Sequence, residues 1–210
     1  MITRSTHARR LGVRFVAPVV AAAALLLAGC TADADRLAAT YEQGDDSGGY
    51  VSGDGRTIQP PESEREDPVT FTGTLDSGDT FDSTDALGDV VVVNFWYAGC
   101  PPCREEASDL ETLRAQYDGD GVTFVGVNVS DNAGTARSFA QEFGVGYPSI
   151  IDVDDNGVQL AFAAGKLAPN SVPTTLILDK QGRVAARLSG LITSPSVVSD
   201  IVDELLAEKA

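Results

Sequence analysis

Val90-Val91-Val92-Val93-Asn94-Phe95-Trp96-Tyr97-Ala98-Gly99-Cys100-Pro101-Pro102-Cys103 is the stretch that decides how this 210-residue chain reads. A β-branched run ending in aromatics predicts a fully buried strand. The run breaks at Ala98-Gly99 and delivers two cysteines to the start of residues 104–117. There Ala107, Leu110, Leu113 and Tyr117 recur at helical spacing between charged residues. Two thiols at a strand-to-helix junction meet the first-turn amides and the positive end of the helix dipole, both of which favour a thiolate. The chemistry this suggests is thiol–disulfide exchange.

Upstream, Arg4, Arg9, Arg10 and Arg14 form a basic n-region before an apolar run over residues 15–28. That run has about 14 residues, short of the ~20 that span a bilayer. Leu27-Ala28-Gly29-Cys30 follows and resembles the lipobox of a bacterial lipoprotein signal. The resemblance implies cleavage after residue 29, lipidation of Cys30, and residence on the outer face of the cell membrane. An ordinary secretory signal with an incidental cysteine is the alternative, and Arg9-Arg10 leaves a twin-arginine route open.

Setting that leader aside sharpens the composition. Its four arginines are its only charged residues, which leaves 11 basic against 31 acidic residues, a net charge near −20. Such a surface repels nucleic acid and anionic headgroups, so no nucleic-acid partner is expected. The one histidine, His7, falls in the leader. Imidazole-dependent triads and His-ligated zinc are thereby excluded from the mature chain. With Cys30 lipidated, Cys100 and Cys103 are the remaining thiols, in an oxidising compartment. A bridge closing so small a loop has little structural value, and two thiolates are too few ligands for a metal. No cofactor is implied.

Residues 30–67 read as an acidic, Gly/Ser/Pro-rich tether. As a coil its length corresponds to an average reach of roughly 30–35 Å. The domain is expected over 68–210. Val69, Phe71 and Leu75, then Asp76-Ser77-Gly78-Asp79 and Thr80-Phe81, predict a hairpin. A second buried strand is expected over 122–129 and a helix over 135–143 with Gly144 as its stop. A short extended piece (147–152) and a short helix through Leu160 and Phe162 come next. Two antiparallel strands (171–179 and 183–188) and a last helix then follow. That helix is opened by Ser194-Pro195 and has Val197, Val198, Ile201, Val202, Leu205 and Leu206 as its apolar face. The sum is α/β: a mixed central sheet flanked by helices, with the thiols at the carboxyl end of a central strand, where open sheets bind ligands.

Asn94-Phe95-Trp96 through Cys103, with Val172-Pro173-Thr174 downstream, resembles the thioredoxin fold, and more closely its membrane-tethered TlpA and ResA-type branch. The likeness covers roughly residues 68–208. It implies a thioredoxin-like domain with an N-terminal β-hairpin extension. It also implies a cis Pro173 beside a redox-active Cys100–Cys103 disulfide, and a Val172 backbone that pairs with the substrate peptide. Cys100 becomes the exposed nucleophile and Cys103 the buried resolving thiol. Asn94 stands where thioredoxins keep a buried acid. Glu106, three residues after the second cysteine, matches the glutamate assigned as proton carrier in ResA-like proteins; the alternative is a solvated helix residue beside Glu105. Trp96 is counted with the substrate-binding surface, although it and Tyr97 read first as core and rim packing.

Pro101 and Pro102 lack amide hydrogens, so Cys103 is the first residue of the turn that can donate to Cys100. Fewer donors stabilise the thiolate less and favour a more reducing pair. The expectation is a lipid-anchored reductant of protein disulfides, those of apocytochrome c in its haem-attachment motif foremost, recycled by a membrane thiol carrier. A disulfide-forming oxidant with the same residues, or a non-catalytic tethered binding module, are the alternatives. A thiol peroxidase is disfavoured because Tyr97, three before Cys100, is neither Thr nor Ser.

Overall fold

The computed structural model describes residues 56–209. The expected leader, Cys30 and the first part of the expected tether lie outside the described residues. In chain order the elements are β1 (Thr57–Ile58), β2 (Thr72–Thr74), β3 (Thr80–Asp82), β4 (Val90–Trp96), α1 (Pro101–Gln116), β5 (Val122–Asn128) and α2 (Ala133–Phe143). They continue with β6 (Ser149–Ile151), α3 (Gly157–Ala163), β7 (Thr174–Leu178), β8 (Val184–Ser189) and α4 (Pro195–Ala207). Short 3-10 turns occupy Glu62–Glu64 and Ser83–Ala86.

All seven residues of β4 are buried, as its unbroken apolar run requires. It pairs in parallel with β5, from Val90↔Val122 to Trp96↔Asn128, and antiparallel with β7. The six-stranded sheet runs β1-β8-β7-β4-β5-β6. Alternation along β4 divides the core in two. Val90 and Val92 join Leu110, Leu113, Ile201 and Leu205 under α1 and α4, while Val91, Val93 and Phe95 face Phe71, Val158 and Phe162 on the other side. Each of these side chains contributes roughly 1.5–3 kcal/mol on burial. This is the thioredoxin-like arrangement that the motifs implied.

The predicted helices form, with shifted details. α1 begins at Pro101 rather than residue 104, because proline's fixed φ suits the first helical positions, where no amide is needed. α2 stops at Gly144, whose φ of +71° closes the helix by donating to Ala140 O. Ser194 makes no side-chain cap; its hydroxyl meets that of Ser196 instead. Val197 is 36% and Leu160 66% exposed, so neither joins the core. On α4 the buried stripe is Val198, Ile201, Val202 and Leu205, and on α3 it is Val158 and Phe162. Leu160 sits midway between the latter two, on the opposite side of its helix.

The larger correction concerns residues 56–67, expected as tether. β1 adds an edge strand to β8, with Ser189 N–H donating to Arg56 O at 3.1 Å. The Arg65 side chain is 3% exposed and pairs with Asp179 at 3.0 Å and Glu208 at 2.6 Å. Glu66 accepts from Lys166 N at 2.7 Å. Composition concealed this because the partners lie a hundred residues or more away. At the opposite edge the β2–β3 hairpin covers β6: Leu75 bridges to Ile150, and Asp76 N–H donates to Ser149 O at 2.8 Å.

Removing one member of a buried ion pair leaves the other charge uncompensated. Asp179 keeps Arg183 Nε at 2.7 Å, which softens the loss. Arg65→Ala should therefore cost about 3 kcal/mol and lower the unfolding midpoint by roughly 6–12 °C. A chain starting at Pro68 should melt below one starting at Arg56. Equal midpoints in calorimetry would show that the segment is no part of the folded unit.

Candidate active site

The two cysteines sit where β4 turns into α1. Cys100 occupies the N-cap with extended backbone (φ −79°, ψ 112°), and its Sγ accepts from Cys103 N–H at 3.3 Å. Because Pro101 and Pro102 carry no N–H, this is the first amide of the turn able to reach the sulfur, as the sequence predicted. Cys100 and Cys103 are joined as a disulfide with their Cα atoms 5.3 Å apart. The Val172–Pro173 bond is cis, and Val172 O lies 3.9 Å from Cys100 Sγ. The bridge thus lies beside the turn into β7, with Val172 half-buried and Pro173 buried.

Two expectations are corrected here. Cys100 is 1% exposed and Cys103 3%, so in the oxidised pair the first sulfur is not the exposed one. Both share an apolar cluster with Ala107 and Phe139, partly covered by Tyr97 and Val172. What separates them is position: Cys100 faces Val172 at the N-cap, whereas Cys103 lines a small internal cavity with Asn94, Leu110 and Phe139. Trp96, counted with the substrate surface, is 5% exposed. Its ring centroid is 4.4 Å from that of Phe139, and its indole N–H donates to Ser149 Oγ at 3.1 Å. Gly126 permits this packing, since a Cβ there would lie 2.3 Å from Ser149 Oγ and 2.8 Å from the indole nitrogen. Trp96 is a core residue.

Glu106 is no solvated helix residue. It is 1% exposed, one turn beyond Cys103 on the inward face of α1. Oε1 accepts from Asn94 Nδ2 at 2.9 Å and Oε2 from Ile192 N–H at 3.0 Å. Asn94 also donates to Thr175 Oγ1 at 3.1 Å. Burial pushes the Glu106 carboxyl up to about 7, against the opposing pull of the Ile192 and Asn94 hydrogen bonds and with a smaller upward push from Asp109. A turn of the Asn94 amide serves either protonation state, because the Thr175 hydroxyl can donate as well as accept. The site therefore combines a bonded cysteine pair with a buried carboxyl, one helical turn away, whose pKa is raised to about 7. Among the described residues no group of three or more acidic, histidine or cysteine side chains is placed to hold a metal. Thr175 and Ile192 went unnoticed in the sequence: one is a strand threonine, the other contributes only a backbone amide.

Comparison with known proteins agrees with this geometry. The AhpC/TSA family model matches residues 66–187. The chain is 34% identical over 114 residues to the thiol-disulfide oxidoreductase ResA of Geobacillus thermodenitrificans, a match covering 54% of this chain and 62% of that protein. It is 32% identical over 123 residues to the thiol:disulfide interchange protein HelX of Rhodobacter capsulatus, covering 59% and 64% respectively. The crystal structure of a DsbF homologue from Corynebacterium diphtheriae superposes with a TM-score of 0.62 and 30% identity, over 74% of this chain and 98% of that one.

The elevated Glu106 carboxyl makes a signed prediction. Between about pH 4.5 and 7 the folded state holds a proton that the unfolded state has released, so stability falls as pH rises through that window. The full loss is about 3 kcal/mol. Glu106→Gln should abolish this slope, the variant gaining on the parent chain from pH 4.5 to 7.5 in urea unfolding. Parallel stability profiles would mean that Glu106 does not titrate in this window.

Proposed function

The chain belongs to the AhpC/TSA family, and on that premise we propose that it is a thiol–disulfide oxidoreductase of the ResA type, reducing disulfides in exported proteins. The observation that carries this is the bonded Cys100–Cys103 pair at the start of α1, with cis Pro173 beside Cys100 and the buried Glu106 one turn behind Cys103.

In the reduced enzyme the Cys100 thiolate attacks a substrate disulfide. A Cys100–substrate bond forms and one substrate sulfur leaves as a thiolate. The Val172 backbone, beside Cys100, holds the substrate segment as a short added strand. Cys103 then gives up its proton, with the Glu106 carboxylate as acceptor, and attacks Cys100 Sγ. The second substrate thiolate departs, and two electrons have passed from the cysteine pair to the substrate. A membrane thiol carrier returns the oxidised pair to the dithiol.

The substrate assignment is the disulfide of apocytochrome c. Its supports are the likeness to ResA and HelX, the Asn94–Glu106 pairing, and the lipobox-like Leu27-Ala28-Gly29-Cys30. In this reading Cys30 carries the lipid, and the domain works at the outer face of the cell membrane. The single amide donor at Cys100 favours a reducing poise.

Cys103→Ser should freeze mixed disulfides on Cys100, and mass spectrometry of the trapped species should identify apocytochrome c. Recovery of unrelated exported proteins alone would reject the haem-maturation assignment. The pair's reduction potential should lie nearer the −270 mV of thioredoxin than the −120 mV of a strong periplasmic oxidant, within about 50 mV of the former. A value near the latter would reverse the direction of electron flow.

A further inference from the structure

The backbone just before Cys100 is held from outside its own element. Tyr97 to Cys100 form a turn closed by Cys100 N–H donating to Tyr97 O at 3.1 Å. Such a turn leaves the amide of its second residue, Ala98, without a partner inside the turn. Here Ala98 N–H donates to Asp131 Oδ2 at 2.6 Å. Asp131 is half-buried and follows β5. β4 and β5 are parallel and end together, Trp96 opposite Asn128, and Val129 N–H extends their pairing to Trp96 O at 3.1 Å. The register thus brings the residues after β5 alongside the turn that carries the first cysteine.

Asp131 is itself held in place. Asn128, fully buried, donates from Nδ2 to the same Asp131 oxygen at 3.0 Å. Its Oδ1 accepts from Ser130 N–H at 3.1 Å and Asp131 N–H at 2.7 Å. A buried amide that uses both ends on one neighbouring carboxylate and its backbone fixes where that carboxylate points. On the other side of Ala98, Arg104 Nη1 donates to its carbonyl at 3.3 Å. Arg104 in turn pairs with Glu142 at 3.1 Å and lies 4.8 Å from the centroid of Phe143, both on α2.

We propose that Asp131, oriented by Asn128, is a positioning residue for the disulfide-exchange reaction: it fixes the turn that sets Cys100 as the N-cap of α1. That geometry lets Cys103 N–H reach Sγ, and with both prolines lacking an N–H it is the first amide of the helix able to do so. Asp131 touches neither sulfur; it acts through Ala98. The inference rests on the reading of Cys100 as the attacking thiol.

The test compares variants of the reduced full-length chain by the pH midpoint of Cys100 alkylation with iodoacetamide. This needs no protein substrate, so it stands whether or not the chain reduces exported proteins. Asp131→Asn removes the charge but keeps an oxygen for Ala98 N–H, whereas Asp131→Ala removes both. The charge effect is common to the two, so their difference isolates the hydrogen bond. The midpoint should lie about one unit higher in Asp131→Ala than in Asp131→Asn, a roughly tenfold loss of thiolate at fixed pH. Asp131→Ser, whose hydroxyl is too short to reach Ala98, should match the alanine variant and serves if that variant does not fold. In an Ala98→Pro background, where no N–H remains, Asp131→Ala and Asp131→Asn should coincide. Equal midpoints in the Ala98 background, or a difference that persists in the Ala98→Pro background, would overturn the proposal.

Discussion

A single buried carboxylate ties the reactive end of this fold together. Glu106 accepts from Asn94 in the central strand and from Ile192 in the segment after β8, and its helix begins with the cysteine pair. Gly190 N–H in that same segment donates to Pro173 O at 2.8 Å. Three chain regions that must meet at the disulfide therefore share one hydrogen-bonded group. Burying a lone carboxylate is costly, and the fold offsets this with two donors and with retention of a proton close to neutral pH. The same compromise underlies the proton-acceptor role proposed for this group, because an acid that titrates near neutrality is well matched to moving a thiol's proton.

Legibility in the sequence followed the range of the interactions involved. The valine run, the cysteine pair and the proline strand are local patterns whose periodicity and residue types predict their own structure. The apolar stripe of α1, Ala107, Leu110 and Leu113, with Tyr117 just past its last turn, is buried as the spacing required. Glu106 was readable only by analogy, because its burial is created by Asn94 and Ile192, 12 and 86 residues away. Arg65 was hidden more completely. An arginine in an acidic, proline-rich stretch looks solvated until Asp179 and Glu208 arrive from the far end of the chain.

Trp96, counted with the substrate surface although it read first as core packing, follows that first reading. Strand alternation puts it on the face of Asn94, beneath α1 and α2. There a missing side chain at Gly126 makes room for its indole. Asp131 left no trace of its own, since its partner is a backbone amide and only the β4–β5 register brings the two together. Side-chain motifs announce chemistry more readily than they announce the scaffolding that aims it.

The treatment of the two sheet edges also has a bearing on how the molecule behaves among its own kind. Exposed strand edges are templates for pairing with another chain. Here one edge strand, β6, is crossed by the hairpin through Leu75 and Asp76. The other, β1, is two residues long and is followed within two positions by Pro60-Pro61, which carry no donors. Neither side offers a long ladder of free amides and carbonyls. An excess of acidic groups adds mutual repulsion between copies, so the two edges of the six-stranded sheet are guarded by cover, by brevity and by charge together.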